Sequence, residues 1–169
     1  MRRLPIFIRR PIILPVLSLG IGLSGIAAAC SGNSTAPAAP TWDAALSGAN
    51  ERPNPVTTTG SGSAVIVKTG TGFTYTVNFA GLTGAPTAAH IHGPGTTSQA
   101  VGVLVGFPAT SATSGSGTLT GSFSASDIAP TRNVSIDSLE VLLRNGNAYV
   151  NVHTAAFGGG EIRGQLVLR

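Results

Sequence analysis

The three histidines of the chain fall in two short segments, His90 and His92 in AHIHGPG and His153 in YVNVHT. Neutral imidazole is a ligand suited to Cu(II), Zn(II) and Ni(II). In an extended strand, residues two apart point to the same side, so His90 and His92 project together while Ile91 turns inward. By the same rule His153 shares a face with Tyr149 and Asn151, opposite Val150 and Val152. Three rings converging from two neighbouring strands would hold such an ion, copper or zinc foremost. A ligand histidine normally needs a partner on its other nitrogen, and the carboxylates offered for that are Glu161 and Asp127. Without an ion, the same rings could donate to backbone carbonyls and hold a loop in place.

A second chemistry-bearing string is GGGEIRGQL. Gly158, Gly159 and Gly160 permit a tight positive-φ connection into the last strand. Glu161 and Arg163 share one face of that strand, with Ile162 on the other. They can pair with each other or with a neighbour, which gives them a supporting or structural role. No catalytic residue is assigned, because the chain has no G-x-S-x-G elbow, no phosphate loop and no clear acid/base pair of carboxylates.

These residues need a scaffold, and composition narrows it. The 169 residues are 42% hydrophobic but only 9% charged, with 23 Gly and 11 Pro, which excludes coiled coils and charge-driven disorder. A single Cys excludes a disulfide framework. From Trp42 onward, apolar residues alternate in short runs broken by Gly, Pro, Ser and Asn at intervals near ten. That pattern predicts strands over 42–46, 63–68, 73–79, 88–92, 101–107, 117–123, 148–153 and 161–168. The fold class expected is all-β, a Greek-key antiparallel β-sandwich. One segment breaks the period: SIDSLEVLLR, 135–144, has Ile136, Leu139, Leu142 and Leu143 at helical spacing. Ser135 stands as N-cap and Asn145-Gly146 as its end. A short helix over one end of the sandwich is expected, with a further strand as the rival reading.

The formal charge of +4 is local. Arg2, Arg3, Arg9 and Arg10 precede the first apolar run, and beyond residue 29 acids and bases balance. A neutral body without a basic cluster excludes nucleic acid as an expected partner. Basic leader, apolar stretch and Ala27-Ala28-Ala29 follow the order of a secretory signal over 1–29, with a membrane-spanning helix as the alternative. Cys30, directly after the small residues, resembles the lipobox cysteine of bacterial lipoproteins, with Ala27 departing from the usual Leu. That resemblance implies acylation and anchoring to a membrane of the cell envelope. Residues 30–41 then read as a small, polar, proline-rich tether, and 42–169 as one domain.

In order along the chain, LSGANERPNPVTTTGSG, FTYTVNFAGL, AAHIHGPG and NAYVNVHTAAFGGGEIRGQL resemble the CHRD domain, named after chordin, over about residues 42–168. The resemblance implies an exported or extracellular β-sandwich, immunoglobulin-like or superoxide-dismutase-like. The order HIHG, VNVHT and a Gly-rich approach to an Arg is also similar, more weakly, to Cu/Zn superoxide dismutase. There His90, His92 and His153 would match copper ligands and Arg163 the anion-guiding Arg, but the further histidines and the Cys pair are missing. The readings are a lipid-anchored, non-catalytic module binding a protein or glycan, a copper or zinc protein using the three histidines, and a structural spacer.

Overall fold

The computed structural model describes residues 37–169, so the leader and Cys30 lie outside the described residues. The strands are β1 (Thr41–Ser47), β2 (Ser61–Thr69), β3 (Gly72–Ala80), β4 (Pro86–His92), β5 (Val103–Phe107) and β6 (Gly117–Phe123), then β7 (Tyr149–Thr154), β8 (Ile162–Gln165) and β9 (Val167–Leu168). One α-helix, α1 (Ile136–Arg144), precedes β7. Alternation decides the strands. In β3, Phe73, Tyr75, Val77 and Phe79 are buried, while Thr74 and Asn78 between them face solvent.

All pairings are antiparallel, in the order β5-β4-β7-β8-β1-β2-β3-β6, with β9 on β1. The two ends of this order meet. Ile128, just past β6, bridges Val105 of β5, and Ala129 N–H donates to Leu104 O at 2.8 Å. Strands β4, β5 and β6 run in succession and β7 returns beside β4, which is a Greek key. The expected sandwich is therefore one sheet closed on itself. Its seams are thin, with β1 meeting β8 only through Ser47 and Arg163, so two four-stranded halves enclose the core. Aromatic rings join the halves: Tyr75 of β3 stacks on Phe107 of β5 at 3.9 Å, and Phe123 of β6 lies 6.2 Å from Phe107.

The segment that broke the strand period is helical. Ser135 Oγ accepts from Ser138 N–H at 3.1 Å, and Leu139 and Leu143 are buried. The helix covers the end of the barrel that holds Trp42. Arg144 lies over the Trp42 ring at 5.8 Å and Glu140 pairs with Lys68 of β2 at 3.6 Å. The last expected strand is broken in two at Leu166, which is fully buried and donates its N–H to Ala148 O, after which β9 crosses to β1.

Candidate metal centre

Register places the histidines. His90 is opposite Asn151 and His92 opposite Tyr149, while Ala89, Ile91, Val150 and Val152 fill the core. The outer face of β4 and β7 thus carries His90, His92, Tyr149, Asn151 and His153 together. The chain after β4 folds back over this face, and the chain after β7 turns beside it. Under them His92, Asn151 and His153 are buried and His90 partly so.

The ligand nitrogens of the three rings lie within 4.8 Å of one another. His92 Nδ1 is 2.7 Å from Val101 O and His153 Nδ1 is 3.0 Å from Gly158 O. Each Nδ1 must donate to its carbonyl, which leaves a bare lone pair on each Nε2. Both Nε2 atoms meet Asn151 Oδ1, at 2.9 and 3.0 Å, and His90 Nδ1 is 3.0 Å from His153 Nε2. As its Nδ1–H tautomer His90 donates to the His153 lone pair, and an Asn151 amide turned to present its NH2 donates to the His92 one; a bound ion would take up the same lone pairs in place of these bonds. Charging the rings is disfavoured, which keeps them available as neutral ligands: burial, with the charges of His153 and His92, lowers His90 to about 4. Burial likewise holds His92 and His153 below their ordinary value. Three neutral nitrogens, two oriented by backbone carbonyls, form a donor set that fits copper or zinc.

The orienting groups are not the expected carboxylates. Asp127 caps a 3₁₀ turn after β6, accepting from Ser124 N–H at 2.8 Å. Glu161 is fully buried and accepts from Thr58 Oγ1, Thr83 N–H, Thr83 Oγ1 and Thr154 Oγ1. Glu161 and Arg163 do not pair with each other. Arg163 donates from Nη2 to Thr96 O at 2.9 Å and lies 3.4 Å over the Tyr149 ring, whose plane is parallel to His92 at 4.9 Å. Only Gly160 of the three glycines has a positive φ, +125°.

A family model for the CHRD domain matches residues 42–166. The chain belongs to the CHRD domain family. At this level it is a binding module of the extracellular type. Comparison with curated proteins and with solved structures found no match, so the likeness to the copper dismutase rests on residue order alone. Among the described residues of this CHRD domain, no helix is long and apolar enough to cross a membrane.

Sequence reasoning placed Asn151 on the histidine face without identifying it as the group that both Nε2 atoms share. The strand alternation of Tyr149, Asn151 and His153 was the available signal. Glu51 was missed entirely: it is buried beside the site, and burial raises it to about 7 against the lowering charge of Arg163.

The ring values set an acid limb. Unfolded histidines titrate near 6.5, so between about 6.5 and 4 the unfolded chain binds more protons and metal-free stability falls as pH falls. Glu51 acts oppositely, since a raised carboxyl contributes stability that is lost as pH rises through about 7. The difference between wild type and His90→Gln isolates the ring. In chelator-treated protein, the urea midpoint of His90→Gln is expected to fall less steeply from pH 6.5 to 4. Parallel curves would refute the assignment.

Proposed function

We propose that this CHRD domain is a non-catalytic, exported module that holds one Cu(II) or Zn(II) ion through His90 Nδ1, His92 Nε2 and His153 Nε2. The reading is carried by the two Nε2 lone pairs, each created by an Nδ1–H committed to a backbone carbonyl, that converge beside His90. Nitrogens bound at about 2.0–2.1 Å stand about 3.3 Å apart as tetrahedral neighbours and about 4.1 Å apart when opposed. To match, the cluster's 3.0 Å pair must widen slightly and its 4.8 Å limit must contract by less than about 1 Å. Because Val101 and Gly158 belong to the loops on either side, an ion would fasten both to the sheet. In this reading Cys30 is acylated and 30–41 tethers the domain to the envelope.

Metal analysis of protein purified without chelator tests the ion. About one copper or zinc per chain is expected. The His90, His92, His153 triple alanine variant should retain none and show no rise in melting temperature on adding metal. Equal, negligible metal in both would refute the reading and leave the rings as loop fasteners. Lipidation is tested separately by globomycin in the native host: accumulation of the unprocessed chain is expected, and maturation at an unchanged rate excludes Cys30 acylation.

A further inference from the structure

Tyr149 divides the outer face. His92 comes to it from β4, and Arg163 from β8 on the other flank, where a second arginine, Arg52, stands. Arg163 is 2% exposed, yet the ion pairs among the described residues are Lys68–Glu140, Arg144–Glu140 and Arg169–Asp43. Neither Arg163 nor Arg52 has a carboxylate partner. Arg163 places Nη2 on Thr96 O, and Arg52 places Nη1 on Ala49 O and Glu51 O at 3.1 and 2.7 Å. Among the described residues, the other guanidinium N–H groups of both have no protein acceptor. With Asn50, Thr97 and Gln165 the two arginines line a recess of about 90 Å³, room for several waters or one small ion.

A buried cation without a counter-charge is costly, and a guanidinium fork with unused N–H groups matches the geometry of an oxyanion. The closest candidate for internal compensation is Glu51, but burial raises its carboxyl to about 7 and its Oε1 has no hydrogen-bond partner. At neutral pH and below, it does not cancel two arginines. A further feature narrows the ligand. Gln165 Nε2 is committed to Gly95 O and Gly146 O at 2.8 and 2.7 Å, while its buried Oε1 has no partner. Gln165 lines the recess and its unpaired Oε1 is closed to solvent, so a small turn of that side chain would let it accept from a ligand that brings both negative charge and an O–H.

We infer that the recess between Arg52 and Arg163 binds a small oxyanion bearing an O–H donor, of the type of hydrogen phosphate or a hydroxy-carboxylate. The oxyanion bonds the free guanidinium N–H groups and its hydroxyl donates to Gln165 Oε1. The site shares no residue with the histidine cluster, which lies across Tyr149.

Isothermal titration of the full chain at pH 7 and low salt tests this, with two matched pairs of probes. Inorganic phosphate should bind at millimolar Kd or tighter and sulfate, which carries no proton, roughly tenfold more weakly or worse. Glycolate should exceed acetate in the same sense, and the stronger of phosphate and glycolate identifies the class. Arg52→Gln, at a half-buried side chain, should weaken phosphate roughly tenfold. Thr97→Glu, at an exposed position, should abolish it and raise the melting temperature by supplying the missing charge. The triple histidine-to-alanine variant should bind phosphate as wild type does. Equal binding of phosphate, sulfate and chloride would overturn the inference, as would full phosphate affinity in both Arg52→Gln and Thr97→Glu. Loss of phosphate binding in the triple variant would overturn it too, by placing the anion on the metal; loss of metal alone leaves the recess intact.

Discussion

Glu161→Ala is expected to lower the unfolding free energy by roughly 3–5 kcal/mol, the largest effect of any single substitution of a polar side chain here. Its carboxylate is fully buried and accepts four bonds, at 2.6 Å from Thr58 Oγ1, 2.9 Å from Thr83 N–H, 2.8 Å from Thr83 Oγ1 and 2.7 Å from Thr154 Oγ1. Those residues belong to the β1–β2 connection, the β3–β4 connection and the end of β7, which no strand ladder ties together at that point. Burial alone would raise this carboxyl, but the threonine donors outweigh it and hold it below the usual range. Its contribution is therefore complete above the ordinary carboxylate pKa and lost as pH falls through the depressed value. Removing the acceptor leaves three hydroxyls and one backbone N–H without it, with Thr154 fully buried and only Thr83 on an exposed residue that water can reach. Glu161→Gln keeps the shape, its carbonyl can keep Thr58 Oγ1 and Thr83 N–H while its NH2 donates to the hydroxyls of Thr83 and Thr154, and it should cost less than alanine. Chemical denaturation at pH 7 measures both. A midpoint for Glu161→Ala equal to wild type would show that the threonines bond to water instead.

Gly160→Ala is expected to damage the fold and the histidine cluster together. Its φ of +125° is a conformation that residues with a Cβ rarely adopt. An added Cβ would lie 2.5 Å from Glu51 Oε1 and 2.8 Å from Asn151 Nδ2. Backbone strain and the displaced neighbours together predict a loss of roughly 2–4 kcal/mol. Because Asn151 Oδ1 touches both His92 and His153, moving it should also weaken metal binding roughly 10–100-fold. Gly158→Ala is the control, since a Cβ there meets nothing within 4 Å and its φ is not positive. Equal stability and equal metal affinity for the two variants would mean that the Gly160 position is not restrictive.

Much of this is legible in the sequence. Period-two burial in β3 and the helical spacing of Leu139 and Leu143 after a serine cap are local signals, because each follows from the geometry of one segment. The common face of His90 with His92, and of Asn151 with His153, is equally local. Three things were not legible. The partners of the histidine Nδ1 atoms are carbonyls of Val101 and Gly158, and a carbonyl has no residue type to announce it. Glu161 looked like a partner for Arg163 two positions away, yet it is bonded to Thr58, 103 positions distant. The sandwich closes into one sheet through Ile128 and Val105, a contact between a loop and a strand edge that no alternation encodes.

Sequence by itself determined the all-β class, the family and the side of each strand on which the imidazoles stand, because side-chain direction in a strand depends only on parity, and it favoured the helix over 136–144 that the structure holds. Tertiary structure alone decided that β4 pairs with β7 in the register that brings His90, His92 and His153 within 4.8 Å, and that Arg163 faces a recess instead of Glu161. Those outcomes depend on contacts between residues far apart in the chain, which are selected by burial of the whole core and not by any neighbouring residue.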